Sequence, residues 1–415
     1  MLIPYDLQYQ PFTIRAAMFA RELTRRGHKV RLFYRQIRNS RRWQSVKVHD
    51  VFPEGCEVSV QPSLLKPTGW RAVAQAIRDA DVVHFQKSAV TGSVIALALG
   101  YWFDKPIHQD WDDLEGAYWW QEARDASRDT GSVPSRARKM LLAGGAAVVK
   151  GSLEWMIPKL VDTMGGASMY LRRKSIEWGC DASAVFPARV GVDAERFRPE
   201  RRDEELRQRL GLAGPTVLFA GTFDVHPDLI FFVESLRALF REAPEAQCLV
   251  VGGGPSRTRL VELVRSKALQ GNLVMTDDFV PFHEMPGYVA SADIAALPFR
   301  DTPVHRSKSS LTLLESMACG LAIVTHDVGD VGWMLGDGGV IASQDDPHEF
   351  GHLLAELARD PVRREQLGSR ARARAVERFS WETSVDYLEA AYRSAIARRK
   401  TASSRRGREA SSRGE

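Results

Sequence analysis

The segment over residues 306–325 constrains the fold more than any other, because it reads in order as a loop, a short helix, a tight turn and a strand. Its apolar side chains recur at helical spacing and mark one buried helix face: Leu311, Leu314, Met317 and Ala318. Gly320 stands where a helix ends in a left-handed conformation. The apolar run after Gly320 is typical of a strand buried on both faces of a parallel sheet. The segment therefore predicts an α/β protein.

The start of this predicted helix has the composition of an anion site. Ser307 and Ser309 are good N-cap residues, since a short hydroxyl accepts a hydrogen bond from an unpaired backbone N–H of the first turn. Arg306 and Lys308 add positive charge where free N–H groups and the helix dipole already favour an anion. Glu315 follows about a turn and a half into the helix, within reach of hydroxyl groups on a ligand bound there. An ordinary βα unit with a solvated surface Glu is the alternative interpretation.

Five stretches follow one another in an order that is typical of one enzyme family. They are FPARVGVDAERFRP (186–199), VLFAGTF (217–223), LVVGGGP (249–255), YVASADIAALPF (288–299) and LLESMACGLAIV (313–324). With them the chain resembles the retaining, nucleotide-sugar-dependent glycosyltransferases of family 4. The resemblance covers residues 186–397 well and the N-terminal half in outline. It implies the GT-B fold, an α/β fold in which two Rossmann-like, doubly wound domains face a cleft and a C-terminal helix crosses back to the N-terminal domain.

The resemblance also implies a division of the chain. Residues 1–200 would form the acceptor-binding domain, residues 201–378 the nucleotide-sugar-binding domain, and residues 379–397 the crossing helix. The tail over residues 398–415 holds seven Arg or Lys residues and many Ser, with almost nothing apolar. Such a segment cannot bury enough surface to offset the entropy of ordering it, so we predict that the tail is disordered.

The donor implied by the resemblance is a nucleotide-diphosphate sugar. Its base is expected near Val280 and Pro281, its ribose on Glu315 and its diphosphate at the start of the helix that carries Glu315. The other expected donor contacts are Gly221, Thr222, Gly254, Pro255, Ser309, Ser310 and Leu311. The glycines among them follow predicted strands, where a residue without a side chain lets the backbone approach a ligand closely.

Asp110, Arg306 and Lys308 are the expected catalytic residues. Asp110 follows a predicted strand of the N-terminal half, at the end where ligands bind in open α/β sheets. Arg306 and Lys308 would oppose the negative charge that builds on the departing diphosphate, as fixed cations do without reorganising. No cofactor and no metal are then expected, because no D-x-D motif follows a strand in the donor half.

The chain departs from the family pattern in several places. Thr222 and residues 226–227 stand where the family has an Arg and a Lys for the diphosphate, and Ser307 stands where it has the first of two Glu residues. Arg189 is a further cation that could serve the diphosphate. Residues 10–12 replace a glycine pair before the first helix, and the first strand is short. We therefore hypothesise that the natural start lies upstream.

Because of these departures, three interpretations stay open. The protein is an active transferase, a nucleotide-sugar epimerase of the same fold, or a non-catalytic subunit that binds nucleotide sugar. An epimerase would turn over nucleotide sugar with no acceptor, and a binding subunit would turn over none. For the transferase, the expected acceptor is a saccharide or a lipid-linked molecule, in the synthesis of cell-surface polysaccharide or glycolipid.

Composition bears on location. The net charge of +5 and the pI of about 9.0 favour anionic partners. The four cysteines are scattered, with no C-x-x-C pair, which is typical of a reducing cytosol. The start lacks the pattern of a secretory signal, and no run approaches about 18 apolar residues. These observations predict a cytoplasmic protein without a membrane span.

Two stretches raise the alternative of a peripheral contact with the inner face of an anionic membrane. Residues 25–47 hold nine basic side chains and no acidic one, typical either of a solvated loop or of a segment that contacts lipid headgroups. Nucleic acid is not an expected partner, since no known module frames these residues. Residues 135–164 are apolar with basic residues at intervals. We interpret them as a packed interior helix, with an interfacial amphipathic helix as the alternative.

Overall fold

A computed structural model describes residues 1–3, 10–35, 55–61, 67–88, 92–127, 132–223, 226–254 and 256–412. Its N-terminal domain contains a seven-stranded parallel sheet with the order β3-β2-β1-β4-β5-β6-β7. The strands are β1 (Leu2–Ile3), β2 (Arg31–Arg35), β3 (Glu57–Gln61), β4 (Val83–Gln86), β5 (Ile107–Trp111), β6 (Thr163–Gly166) and β7 (Val185–Pro187). The helices are α1 (Gln10–Arg25), α2 (Pro67–Asp79), α3 (Gly92–Trp102), α4 (Glu115–Ser127), α5 (Val133–Met156) and α6 (Met169–Glu177).

The C-terminal domain contains a six-stranded parallel sheet with the order β10-β9-β8-β11-β12-β13. The strands are β8 (Thr216–Thr222), β9 (Gln247–Gly253), β10 (Leu273–Met275), β11 (Ile294–Leu297), β12 (Ala322–Thr325) and β13 (Gly339–Ile341). The first helices are α7 (Glu204–Arg209), α8 (His226–Glu242), α9 (Arg257–Ser266), α10 (Met285–Ala290), α11 (Pro303–Ser307) and α12 (Leu311–Ala318). The last four are α13 (Val331–Leu335), α14 (Pro347–Arg359), α15 (Pro361–Arg378) and α16 (Trp381–Ser412).

Both sheets are doubly wound, which confirms the predicted fold class. In each sheet the strand order reverses once, between β1 and β4 in the first sheet and between β8 and β11 in the second. Ligands of open α/β sheets bind at the carboxyl ends of the strands beside such a reversal. We therefore expect a ligand to bind near the residues that follow β4, β5, β8 and β11.

The segment over residues 306–325 forms the predicted elements. The helix α12 buries Leu314 and Met317, Gly320 is left-handed with φ of +72°, and all four residues of β12 are buried. The predicted caps were wrong. Ser310 caps α12 by accepting the backbone N–H of Leu313 at 3.1 Å, because Ser307 already ends the preceding helix α11.

The C-terminal helix α16 packs onto α1 of the N-terminal domain. The ring of Trp381 meets the ring of Phe19 edge to face, with their centroids 5.6 Å apart. Trp381, Val385 and Leu388 are buried in a core that also contains residues of the C-terminal domain. Edge-to-face pairs contribute about 0.5–1.5 kcal/mol beyond the area they bury. The helix thus joins the two domains, while the domain boundary at residue 200 stays a prediction.

The prediction of a disordered tail from residue 398 was wrong, because α16 continues to Ser412. Three contacts hold this extension against acidic side chains of the N-terminal domain. Arg398 donates to Asp181 at 2.8 Å, Arg399 donates to Asp162 at 2.8 Å, and Ser403 donates to Asp104 at 2.5 Å. These polar contacts stabilise an extension that has almost nothing apolar to bury.

The helix α5 is not the packed interior helix that we predicted. Its buried residues are Ala143, Ala147 and Glu154, whereas Leu141 is 77% exposed and Val148 66% exposed. The helix over Val133–Lys159 is also, by length and composition alone, the one helix in the described part of the chain that is long and apolar enough to cross a membrane. The sequence predicted no membrane-spanning segment. This helix did not stand out because small residues and spaced cations interrupt its apolar runs.

Candidate active site

The start of α12 lies at the cleft between the domains. Ser310 caps the helix and Leu311 is its first residue, while Lys308 is exposed just before it. Ser309 is turned toward the N-terminal domain, since its hydroxyl accepts the backbone N–H of Val190 at 3.3 Å. The predicted diphosphate residues are therefore together, at a helix start with a cation beside it.

Glu315 lies in the second turn of α12 and is 8% exposed, so the alternative of a solvated surface Glu was wrong. Burial raises the pKa of Glu315 from 4.5 to about 8, and the nearby Arg196 opposes the shift. Within the part of the chain that the structure describes, the carboxyl makes no side-chain hydrogen bond. A buried carboxyl without a partner costs free energy unless a ligand supplies hydrogen-bond donors.

Arg196 was not among the predicted site residues. Its guanidinium stacks on the ring of Phe282, 4.1 Å from the ring centroid, and its charge reaches Glu315. Arg196 also lines a cleft of about 800 Å³ that lies between residues 193–209 and α10, beside His283 and Tyr288. Its position in the motif over residues 186–199 is the sequence feature that could have identified Arg196 as a site residue.

Val280 and Pro281, which were predicted to lie near the nucleotide base, come directly before Phe282 in the chain. Val280 is buried in the main core, and Pro281 is half-buried. Phe282 packs toward Phe197, with ring centroids 6.2 Å apart. Pro281 is consequently the more accessible of the two predicted base residues.

The glycines at the ends of β8 and β9 differ in their surroundings, because a Cβ on Gly221 would meet nothing within 4 Å, whereas one on Gly254 would meet backbone. Gly221 has φ of +150° and Gly254 has φ of +142°. A Cβ on Gly254 would lie 2.9 Å from the backbone of Phe223, so this glycine first of all lets the two turns pack together. Thr222 ends β8 and is half-buried, and Pro255 lies outside the described residues.

The structure does not bring two of the predicted catalytic residues to the start of α12. The Arg306 guanidinium is about half exposed and donates to both carboxylate oxygens of Asp301, at 2.5 and 2.6 Å. Asp110 is buried and accepts from Arg15 of α1 at 2.8 and 2.7 Å. Arg15 was missed by the sequence reasoning, although a lone Arg within the apolar stretch of α1 is a signal for a buried ion pair.

Lys308 is the predicted cation that faces the other domain. Burial would raise the pKa of Asp113, but the charge of Lys87 and, after it, that of Lys308 hold this pKa below its usual range. The hydroxyl of Ser307 accepts the backbone N–H of Leu114 at 3.2 Å, across the same part of the cleft. Arg189, the further candidate cation, instead contacts Asp330 at 3.4 Å and stacks on Trp333.

The described residues contain no group of three or more His, Cys, Asp or Glu side chains arranged to hold a metal ion. The expectation of metal-independent chemistry stays a prediction. Two doubly wound parallel sheets that face a cleft, with a helix that joins the two domains, define a GT-B architecture.

Comparison with known proteins agrees with this class. Residues 214–360 match the family described as Glycosyl transferases group 1. Among solved structures, sucrose-phosphate synthase from Thermosynechococcus elongatus superposes with a TM-score of 0.69 at 17% identity, over 95% of this chain and 99% of that one. The family match covers the C-terminal domain, and the superposition shows that the whole chain has the fold of the GT-B glycosyltransferases.

Two curated relatives match about half of the chain. A D-inositol 3-phosphate glycosyltransferase of Thermobifida fusca is 32% identical over 227 residues, which are 52% of this chain and 50% of that protein. A GDP-mannose-dependent alpha-(1-6)-phosphatidylinositol monomannoside mannosyltransferase of Mycolicibacterium smegmatis is 26% identical over 228 residues, 54% of this chain and 59% of that protein. The chain thus spans between half and three fifths of the length of these relatives.

Proposed function

We propose that this protein is a retaining glycosyltransferase of family 4. It transfers a sugar from a nucleotide-diphosphate sugar to a saccharide or lipid-linked acceptor, in the synthesis of cell-surface polysaccharide or glycolipid. The observation that carries the proposal is Glu315, a buried carboxyl without a hydrogen-bond partner among the described residues, set behind a helix start that is capped by Ser310. The GDP-mannose dependence of one relative supports a nucleotide sugar as donor.

The chemistry of the proposed donor site follows from its charges. Ribose hydroxyls donate hydrogen bonds to Glu315, and the diphosphate lies at the start of α12 by Ser309 and Leu311. Negative charge grows on the diphosphate as the sugar leaves, and the fixed N–H groups and Lys308 oppose it. Arg306 and Asp110 are each held by an ion pair, so the proposal assigns the opposing charge to Lys308 and keeps the catalytic roles expected of the other two as predictions. The reaction needs no metal in this scheme.

A panel of UDP-glucose, UDP-N-acetylglucosamine and GDP-mannose tests the proposed function. We expect one of them to bind in calorimetry and to turn over only when a saccharide or lipid-linked acceptor is added. Turnover without any acceptor would instead establish the epimerase, and binding without turnover under every condition would establish the binding subunit. Failure of all three nucleotide sugars to bind would contradict the proposed donor site.

A peripheral contact with anionic membrane is part of the proposal, and α5 supports it. Leu141 and Leu142 are 77% and 63% exposed, and Trp155 is 53% exposed with Lys159 over its ring. An apolar, largely uncovered helix that carries Lys and Arg fits the boundary between headgroups and acyl chains. The basic segment over residues 25–47 lies outside the described residues from 36 onward and carries no argument here. The lipid in the name of one relative is consistent with an acceptor held at such a surface.

Vesicle flotation tests the membrane contact. The wild-type protein should float with vesicles that contain phosphatidylglycerol and should leave them as salt rises, since screening shortens the attraction to about 8 Å at physiological ionic strength. The double change Leu141→Glu with Leu142→Glu should abolish flotation. Val362→Glu is the matched control, because Val362 is 62% exposed but lies on α15 of the other domain. Equal flotation of all three proteins would contradict the contact.

A further inference from the structure

Three backbone N–H groups of the N-terminal domain are bound by side chains of the C-terminal domain, and we call these bonds the interdomain row. The pairs are Ser307 with Leu114 at 3.2 Å, Ser309 with Val190 at 3.3 Å and Asp330 with Met169 at 3.0 Å. The three donors follow β5, β6 and β7, which are neighbouring strands of the first sheet, and the three acceptors follow β11 and β12 of the second sheet. The interdomain row therefore joins the carboxyl ends of the two sheets across the cleft.

Ser307 is turned entirely toward the protein. Its hydroxyl accepts the N–H of Leu114 and donates to the carbonyl of Val304 at 2.7 Å, and the residue is 0% exposed. A serine hydroxyl has one proton to donate, and here that proton is used within α11. Ser307 consequently does not reach a substrate, and any effect that it has on transfer must act through its neighbours.

Lys308, the cation of the proposed donor site, stands between the two serines of the interdomain row. Its side chain is exposed and makes no ion pair with a described residue, so packing does not fix the ammonium. Its backbone is held on one side by Ser307 and on the other by Ser309, because both serines are bonded to the N-terminal domain. Asp113, the carboxylate that the charge of Lys308 reaches, already binds Lys87 at 2.8 Å. The ammonium of Lys308 is thus left for an anion beside the start of α12.

The place of this ammonium decides how much it contributes to transfer. A catalytic charge is effective because it is held in position before the reaction begins, and a misplacement of about 1 Å can slow a reaction roughly a hundredfold. A lysine ammonium stands on a flexible four-carbon stem, so the backbone at its base is the part that the protein can fix. The bond between Ser307 and Leu114 fixes that backbone from the opposite side of the cleft.

We propose that Ser307 is a positioning residue for sugar transfer, which makes the place of Lys308 depend on the N-terminal domain. Lys308 then opposes the charge of the departing diphosphate effectively only while Ser307 is bonded to Leu114. Contact between the domains and stabilisation of the developing charge become one event at this position. The proposal rests on the transferase function and adds a residue that touches neither substrate.

Single-turnover transfer and donor calorimetry, with the nucleotide sugar and acceptor that the panel identifies, test the proposal. Ser307→Ala should slow transfer roughly ten- to a hundredfold. Donor affinity should change much less, because Lys308 meets charge that grows only as the sugar leaves. Ser316→Ala is the matched control and should keep the wild-type rate. Ser316 is 0% exposed on α12, and its hydroxyl has no hydrogen-bond partner among the described residues.

A double-mutant cycle with Lys308→Ala distinguishes positioning from a merely structural role. If Ser307 acts through Lys308, Ser307→Ala should slow transfer by less than about twofold once Lys308→Ala is present. Ser307→Cys keeps the test decisive if Ser307→Ala fails to fold, since the thiol nearly keeps the shape of the hydroxyl but is a weak acceptor. The same cycle is then measured with Ser307→Cys.

Three results would overturn the proposal while the wild type remains active. They are an equal slowing by the Ser307 variant with and without Lys308→Ala, a rate equal to that of Ser316→Ala, and a fall in donor affinity as large as the fall in rate. Failure of the proposed function has a different result, because the wild type itself would then bind or transfer no nucleotide sugar. That result would overturn the proposed function and this inference together.

Discussion

The carboxylate of Asp330 accepts the backbone N–H of Met169 at 3.1 and 3.0 Å, although the two residues lie in different domains. Met169 is the first residue of α6, so the carboxylate meets the positive end of that helix. Asp330 is 3% exposed, and Arg189 approaches it from the same side at 3.4 Å. A side chain of the C-terminal domain thus completes the start of a helix in the N-terminal domain and joins the two domains across the cleft.

Asp330→Ala should open this contact. Loss of the buried carboxylate leaves the N–H of Met169 unpaired, which costs this arrangement of the two domains about 1–3 kcal/mol. We expect a larger radius of gyration in small-angle X-ray scattering, with unchanged far-UV circular dichroism. Asp337→Ala, on the exposed surface of the same domain, is the control. Identical scattering from the variant and the wild type would show that other contacts set the closure.

Arg399 and Arg398 allow a paired test of the corrected tail. Arg399 is buried against Asp162, so Arg399→Ala should lower the free energy of unfolding by about 1–3 kcal/mol. Arg398 is more exposed and pairs with the exposed Asp181, so Arg398→Ala should change little. Urea unfolding of both variants measures the difference. Equal free energies of unfolding for the two variants would indicate that the segment is disordered, as predicted from the sequence.

Asp110 pairs with the buried Arg15, so we expect its loss to lower stability, while its catalytic role stays a prediction. Asp110→Asn leaves the buried guanidinium of Arg15 without its counter-charge, and breaking such a pair costs about 3–5 kcal/mol. We expect a strong fall in the urea midpoint, while the fraction that folds keeps its donor affinity in calorimetry. A variant as stable as the wild type but without transferase activity would restore the catalytic role first predicted for Asp110.

Local and long-range features differed in how far the sequence predicted them. The helix α12, its turn and β12 followed from apolar spacing and Gly320, because each depends on neighbours in the chain. The pair of Arg15 and Asp110 joins residues 95 positions apart, which no local pattern specifies. The exposure of α5 was missed for a related reason, since hydropathy marks an apolar helix without saying what covers it. The order of the tail depended on acids in other elements that its own composition does not reveal.

Glu315 should make the unliganded protein less stable as pH rises. Its pKa is about 8 when folded and near 4.5 when unfolded, so the native state holds the proton more tightly. Stability from this group is therefore present below pH 4.5 and is lost as pH rises toward about 8. Glu315→Gln removes this loss and should melt a few degrees above the wild type at pH 8. Identical differences in Tm at pH 5 and pH 8 would contradict the burial of an unpartnered carboxyl.

Donor binding by Glu315→Gln tests the central claim most directly. Above pH 8, where Glu315 is ionised, the amide keeps the volume of the carboxylate but loses its charge and one strong acceptor. Hydrogen bonds to charged groups contribute about 1.5–3 kcal/mol, so the calorimetry is done at that pH. Calorimetry with the nucleotide sugar that the panel identifies should show affinity reduced roughly ten- to a hundredfold. Lys308→Ala, measured beside it in single-turnover transfer, should slow transfer more than it weakens binding. If Glu315→Gln binds and turns over the donor like the wild type, the donor site is not at α12.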